Sequence, residues 1–261
     1  MVMNMSEQQV QENINKIWKE KWEMARGLSL REIFSSRIFP EAFPVIKKYI
    51  PSKFNNLLDV GCGTGKYGLR LAQDFSKSSI TISDILDEAL SIPRRLAVEA
   101  GIENVSFQKD DILASAFPND HFDVVFSDLV IQHLHDYRKA IQEIRRITKP
   151  GGRIVIAVVN FWNFHTLYKR FLTLTGRKYV YGYEKSFSRQ ELKEVMEKEN
   201  IRIIATDGFY VGYGIFRLRN HHQFFSLLGR VVNRISKILD KYTNRFFSRN
   251  FGFEIVIVGQ K

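Results

Sequence analysis

The sequence predicts an α/β domain built on a mostly parallel sheet with helices on both faces. Three observations carry this. Apolar strand-like runs alternate with helical patterns along most of the chain, an arrangement that joins parallel strands through helical crossovers. The first run breaks into three glycines spaced by one, Gly61, Gly63 and Gly65. The second run ends at an acid, Asp84, roughly 20 residues past those glycines, where an acid can bond ribose hydroxyls.

Residues 6–50 read as helical with interruptions: Ile14, Ile17, Trp18, Trp22 and Met24 give an apolar stripe, and Pro40, Pro44 and Pro51 punctuate the stretch after it. The apolar run 56–60 reads as a buried strand. Its glycine turn lacks Cβ atoms, so backbone can approach a ligand closely and take a positive φ. A helix over 66–74 comes next, with Leu69, Leu71 and Ala72 apolar, and its unpaired N–H groups point at whatever anion sits in the turn. Strand 79–83, helix 86–99, strand 104–107, strand 122–126 and helix 136–148 continue the alternation. Lys149-Pro150-Gly151-Gly152 turns the chain into a strand over 153–159. Ser188 opens a helix to about residue 200, with Glu191 placed for a capping box. Strands 202–206 and 251–258 close the pattern.

Two ligands fit the glycines. Gly63-x-Gly65-x-x-Gly68 matches a dinucleotide fingerprint. Gly61-x-Gly63-x-Gly65, with Asp59 two residues before it, resembles motif I of the class I S-adenosylmethionine-dependent methyltransferases. Downstream residues favour the second. Phe107-Gln108-Lys109-Asp110-Asp111-Ile112, then Ala116-Phe117-Pro118 and Phe122-Asp123-Val124-Val125, resemble that family's third strand, turn and fourth strand. Ile147-Thr148-Lys149-Pro150-Gly151-Gly152-Arg153-Ile154 resembles its turn into the fifth strand. The likeness is close over 55–160 and nearest to the group called methyltransferase type 11.

The resemblance implies a Rossmann-like class I methyltransferase fold: a mostly parallel seven-stranded sheet with an antiparallel edge strand, helices on both faces, and S-adenosyl-L-methionine as cofactor. It implies a cofactor site of Asp59, Gly61, Cys62, Gly63 and Gly65 around the amino-acid end. Asp84 and Ile85 follow at the ribose, Asp111 and Ile112 at the adenine (Asp111 rather than Asp110 aligning with the family's acid), and Ser127 ends the fourth strand. Residues 1–51 form an N-terminal helical piece, which in that family lids the cofactor, and 52–261 form the methyltransferase domain. His133, after the fourth strand where the family often carries histidine, is the candidate catalytic base; His135 and His165 are weaker candidates, and His221 and His222 read as surface residues.

Length and composition agree with one large domain. The 261 residues are 44% hydrophobic and 26% charged, ordinary for a soluble globular chain. One cysteine, Cys62, excludes an internal disulfide and a cysteine zinc site, suits a reducing cytosol, and leaves no metal expected. No signal segment or membrane-spanning stretch is legible, so a cytoplasmic location is expected.

The net charge of +11 is localised. Over 209–250, eight cations face one acid, Asp240; over 160–183, Lys169, Arg170, Arg177 and Lys178 face none. The remaining residues balance to zero. Both segments interrupt the expected strand pattern as basic, aromatic insertions. In the longer one, Phe224, Leu228, Val231, Ile235, Ile238 and Tyr242 recur at helical spacing, widened by Leu227, Val232, Leu239 and Phe246. Arg230, Asn233, Arg234, Lys237, Lys241 and Arg245 lie on the opposite face, giving a basic amphipathic helix. Both insertions leave strands at their carboxyl ends, and so are expected to crowd the mouth of the site.

These observations leave three function classes. The first is a methyltransferase for a small, hydrophobic or lipid-like acceptor met at a membrane surface, held through 209–250 at the cytoplasmic face. The second is a methyltransferase for RNA or another polyanion. Nucleic acid is the weaker partner, because the fourth strand ends Ser127-Asp128-Leu129-Val130, without the Pro-Pro-aromatic motif of amino-methylating enzymes on bases. The third is a non-catalytic S-adenosylmethionine-binding protein.

Overall fold

The computed structural model describes residues 7–176, 183–218 and 223–261. Arg177, Lys178, Arg219, His221 and His222 lie outside the described residues. Seven strands form one sheet: β1 (Asn56–Val60), β2 (Ser79–Asp84), β3 (Val105–Lys109), β4 (Phe122–Asp128), β5 (Thr148–Val159), β6 (Arg202–Phe209) and β7 (Glu254–Gln260). The order is β3-β2-β1-β4-β5-β7-β6. β1 to β5 run parallel, and β7 is antiparallel to both its neighbours.

The antiparallel strand is thus one place in from the edge, with β6 outermost. Burial explains the placement. Glu254 through Gly259 are all buried, as a strand covered on both faces must be, while β6 begins exposed at Arg202 and stays half-buried to Thr206. β5 also starts earlier than expected, at Thr148.

Eleven helices are described: α1 (Glu7–Ala25), α2 (Leu30–Phe34), α3 (Phe39–Lys47), α4 (Lys66–Asp74), α5 (Asp87–Ala100), α6 (Tyr137–Ile147), α7 (Phe164–Leu174), α8 (Arg189–Lys198), α9 (Tyr213–Arg217), α10 (Phe224–Asp240) and α11 (Phe246–Phe251). Strand alternation splits the core between two faces. Leu57, Ile82, Phe126 and Val256 pack under α3, α4 and α5, with Ile46, Leu69 and Leu96. Leu58, Val125, Ile156 and Ile257 pack under α6 and α8, with Ile141, Ile144, Leu192 and Met196.

Local signals set the helix ends. The Ser188 hydroxyl accepts from Glu191 N at the start of α8, but the Glu191 carboxylate pairs with Lys185 at 2.7 Å, so the capping box is half made. Of the predicted α1 stripe, Ile14 is buried whereas Met24 faces solvent.

The helix expected to run through Phe246 stops at Asp240. The Asp240 carboxylate accepts from Phe247 N at 2.8 Å and from Ser248 N, capping α11, and Asn244 and Arg245 turn the chain with φ of +47° and +60°. Side chains then bind the two insertions together. Asn160 donates to the carbonyls of Asn250 and Gly252, and Asn163 to those of Val211 and Phe251. Buried Asp207 accepts from Tyr49 Oη at 2.9 Å and from Arg245 Nε at 2.6 Å, fastening α11 to β6 and to the chain after α3.

Candidate active site

The strand order reverses between β1 and β4, and an open α/β sheet binds ligand outside the carboxyl ends at such a point. Register brings Val60 beside Ser83 on one side and Ser127 on the other, and Asp84 beside Lys109. Four short segments therefore meet: the glycine turn, Asp84–Leu86, Asp110–Leu113 and Asp128–Leu134. They line a cavity of about 390 Å³, roofed by Ile14, Trp18 and Trp22 of α1 and by Glu32 and Ile33 of α2. That volume lies in the range of small-ligand sites.

The turn is shaped by its glycines. Gly61, Gly63 and Gly65 have φ of +62°, +54° and +70°, where a side chain would be strained. A Cβ on Gly61 would strike Val130, one on Gly63 would lie 2.8 Å from Trp22, and one on Gly65 would strike Pro93. Cys62 N donates to Ser83 O at 2.9 Å, tying the turn to β2. Asp84 braces it: one carboxylate oxygen accepts from Gly63 N at 3.1 Å, and the other from Leu86 N at 3.0 Å. Each oxygen keeps a lone pair for a ligand hydroxyl. Burial raises the Asp84 pKa, opposed by these backbone bonds.

The sequence-derived residues divide. Gly61, Cys62, Gly63, Asp84, Ile85, Asp111, Ile112 and His133 line the cavity, and so does Asp110. Asp110 accepts from Ala116 N and Asp111 from Leu113 N, so both acids are fixed by the turn after β3. Asp59, Gly65 and Ser127 do not line it. Gly65 is the residue before α4, and Ser127 is buried within β4.

Asp59 accepts from Gly68 N at 2.9 Å, bracing α4 against β1. Burial pushes the Asp59 carboxyl up to about 8. The unfolded chain ionises this group near pH 4 and the folded chain near pH 8, so stability falls as pH rises across that window. Asn keeps a carbonyl for Gly68 N and carries no charge. Asp59→Asn should leave urea stability unchanged at pH 4 and raise it by up to about 5 kcal/mol at pH 9.

His133 is 7% exposed, and its ring is held from three sides. Nδ1 lies 3.0 Å from the Tyr183 carbonyl, which only accepts, so Nδ1 carries the proton. Nε2 is left with a lone pair, 3.4 Å from Gln132 Nε2, a long contact. Trp18 meets the ring edge-on at 5.1 Å, and Trp22 stacks on Trp18 at 5.2 Å. Burial pushes the His133 pKa down, so the imidazole is neutral at pH 7. His165 packs against Phe253, and His135 stacks on Tyr183. Neither lines the cavity.

The described residues of the basic insertions do not form the mouth that topology led one to expect. Among the described residues none from 160–176 or 209–218 and 223–250 lines the cavity; only the Tyr183 carbonyl reaches it, through His133. β5, β7 and β6 lie beyond the switch point, so their extensions pack on one another while α1 and α2 take the roof.

One feature escaped sequence reasoning. Asp128 and Glu254 lie on one face of the sheet on either side of β5, where small Ala157 pairs with Asp128. Glu254 is buried and Asp128 half-buried, the two carboxyls lie within hydrogen-bonding reach of each other once one holds a proton, and Tyr67 Oη finds no hydrogen-bond partner among the described residues. Burial, with Asp128 alongside, raises the Glu254 pKa well above the carboxylate range, so the pair retains a proton. Lys66 Nζ, 3.9 Å from Asp128, tempers the charge on the cavity side. A glutamate opening a strand gives no local signal of this.

A sheet of this order, with a glycine turn at the switch point and acids after β2 and β3, defines the class I S-adenosylmethionine-dependent methyltransferase fold. A structure of this kind from Aquifex aeolicus matches with a TM-score of 0.58 at 15% identity, over 93% of this chain and 97% of that one. The family model described as a methyltransferase domain matches residues 52–205, more than half of the chain, and the chain belongs to that family. It is 35% identical over 118 residues to a probable chloroplastic tocopherol O-methyltransferase of Oryza sativa subsp. japonica, 44% of this chain and 32% of that protein. It is 36% identical over 100 residues to a demethylmenaquinone methyltransferase of Thermus thermophilus, 38% of this chain and 45% of that protein. These matches span less than half the length of either relative.

S-adenosylmethionine, the family's cofactor, suits these residues. The glycine turn lets a ligand approach closely, the first turn of α4 offers N–H groups to a carboxylate, Asp84 offers oxygens to ribose hydroxyls, and Asp110 and Asp111 offer acceptors to an adenine amino group.

Proposed function

We propose that this chain methylates a small hydrophobic, lipid-like acceptor met at the cytoplasmic face of an anionic membrane. The observation that carries the reading is the roof and far wall of the cavity. Ile14, Trp18, Trp22, Leu28, Ile33, Leu129, Val130 and Leu134 offer apolar surface, and His133 is a neutral base among them. The two relatives named for tocopherol and demethylmenaquinone are named for acceptors of this chemical kind.

The bound cofactor supplies a methyl group made electrophilic by a sulfonium. The chain's residues then have three tasks. The glycine turn and Asp84 fix one reactant, and the α1 tryptophans exclude water so that the two reactants meet in line. His133 Nε2 takes the proton that the acceptor's hydroxyl or acidic carbon gives up as it gains the methyl. Gln132 must release its long contact to Nε2 for this, and it remains held by its bond to Val159 N.

The test is transfer from methyl-labelled cofactor, offered separately to a lipid extract, to simple phenols and quinols, and to RNA. Label should enter the organic-soluble products. Label in RNA alone would overturn the acceptor class, and cofactor binding with no transfer to any pool would favour a binding protein.

A further inference from the structure

The helices α7 and α10 of the two basic insertions fold inside out. A surface helix ordinarily buries its apolar stripe and exposes its polar one. α10 does the reverse. Its inward residues are Gly229, Asn233, Ser236 and Asp240, all buried, while Val231, Ile235, Ile238 and Tyr242 are 43%, 51%, 49% and 83% exposed. α7 repeats the pattern: His165, Thr166 and Lys169 are buried, and Leu167, Phe171 and Leu174 face outward.

The inward polar groups explain the orientation. Lys169 Nζ donates to Glu184 Oε1 at 2.8 Å, to the Glu184 carbonyl and to Ser186 Oγ. Asp240 caps α11. Gly229 lets α10 pack against α9, where a Cβ would lie 2.7 Å from both Gly212 O and Phe216 N. On the other side of α9, a Cβ on Gly214 would strike Asn163 and His165 at the start of α7. α9 therefore sits between α7 and α10, and contacts that need small or polar residues fix both helices with their apolar faces outward.

We propose that the outward faces of α7 and α10 dock together into the interfacial layer of an anionic bilayer. This deepens, and rests on, the reading that the acceptor is met at a membrane. Charge complementarity selects the occupant. Arg230, Arg234 and Lys241 are exposed along the flank of the α10 stripe, and Arg170 is exposed on α7, the pattern of a helix lying in the plane of a negatively charged surface. A second copy would bring the same positive charge against itself. RNA would find the α10 cations beside a stripe whose middle is aliphatic, Val231, Ile235 and Ile238, which neither stack nor hydrogen-bond. No described helix is long and apolar enough to cross a membrane, which agrees with a face that lies on one.

The test uses the full chain with vesicles of phosphatidylcholine alone, or mixed with phosphatidylglycerol. Binding should need the anionic lipid and weaken with salt. Val231→Asp with Ile235→Asp, and separately Leu167→Asp with Phe171→Asp, should each weaken vesicle binding about tenfold or more. The thermal midpoint and the affinity for S-adenosylhomocysteine should stay as in the parent. Arg230→Glu with Arg234→Glu should lose the preference for anionic lipid. Four results would overturn the proposal: unchanged vesicle binding in the apolar variants, a lowered thermal midpoint in them (the stripes are then core), a parent dimer that they convert to monomer, or tight RNA binding with indifference to vesicles. Vesicle binding as expected, with label entering only RNA, would sink the acceptor reading and leave the docking face standing.

Discussion

Asp84→Ala should weaken S-adenosylmethionine binding by about a hundredfold or more, read by calorimetry, while the fold survives. Two losses add. The carboxylate is placed to accept from ribose hydroxyls, and each charge-assisted bond contributes about 1.5–3 kcal/mol. It also accepts from Gly63 N and Leu86 N, so its removal loosens the glycine turn that meets the other end of the ligand. Asp84→Asn separates the two contributions. The amide oxygen can keep one of the backbone bonds, but its NH2 cannot accept, so affinity should fall between parent and alanine variant. NAD should not compete with S-adenosylmethionine in any of the three proteins. An affinity unchanged in Asp84→Ala would remove Asp84 from the cofactor site.

The sheet and most of the cavity were legible because their signals are local. A strand followed by Gly61, Gly63 and Gly65 forces the turn wherever it lies, and an acid ending β2 reaches the same rim because parallel register is set by the apolar runs. The tertiary surroundings were not legible. Periodicity shows that Val231, Ile235 and Ile238 share a face, but not which way that face points. The direction is decided by Gly229 against α9 and by Asp240 capping α11, contacts made with residues outside the helix. The same limit hid the seat of Trp22 over Gly63. Asp59 shows a subtler one: the acid before the glycines belongs to the motif, yet its side chain points back to Gly68 N and away from the cavity. The break after Asp240 had a signal, Thr243-Asn244, that the long apolar stripe outweighed.

His133→Ala should lower turnover by about 10²–10⁴-fold if the imidazole takes the acceptor's proton, with cofactor affinity little changed. The pH profile makes this specific to a base. Only neutral His133 can accept, and burial holds its pKa below the usual histidine value, against the weaker pull of Glu184 and of its bond to the Tyr183 carbonyl. Activity of the parent should therefore be full at neutral pH and fall only in acid, on a limb below about 6.5. That limb should vanish in the variant. Stability gives the control with its own sign. Below the unfolded pKa the unfolded chain takes up a proton that the folded site resists, so this group's contribution to stability is lost as pH falls. The variant should lose less stability than its parent on acidification. The competing role is structural: the ring joins Tyr183 to the helical turn after β4 and seats Trp18. An unchanged turnover with a lowered thermal midpoint would assign His133 to that role. The base would then have to be sought elsewhere, or the acceptor would be one that reacts without giving up a proton in the same step.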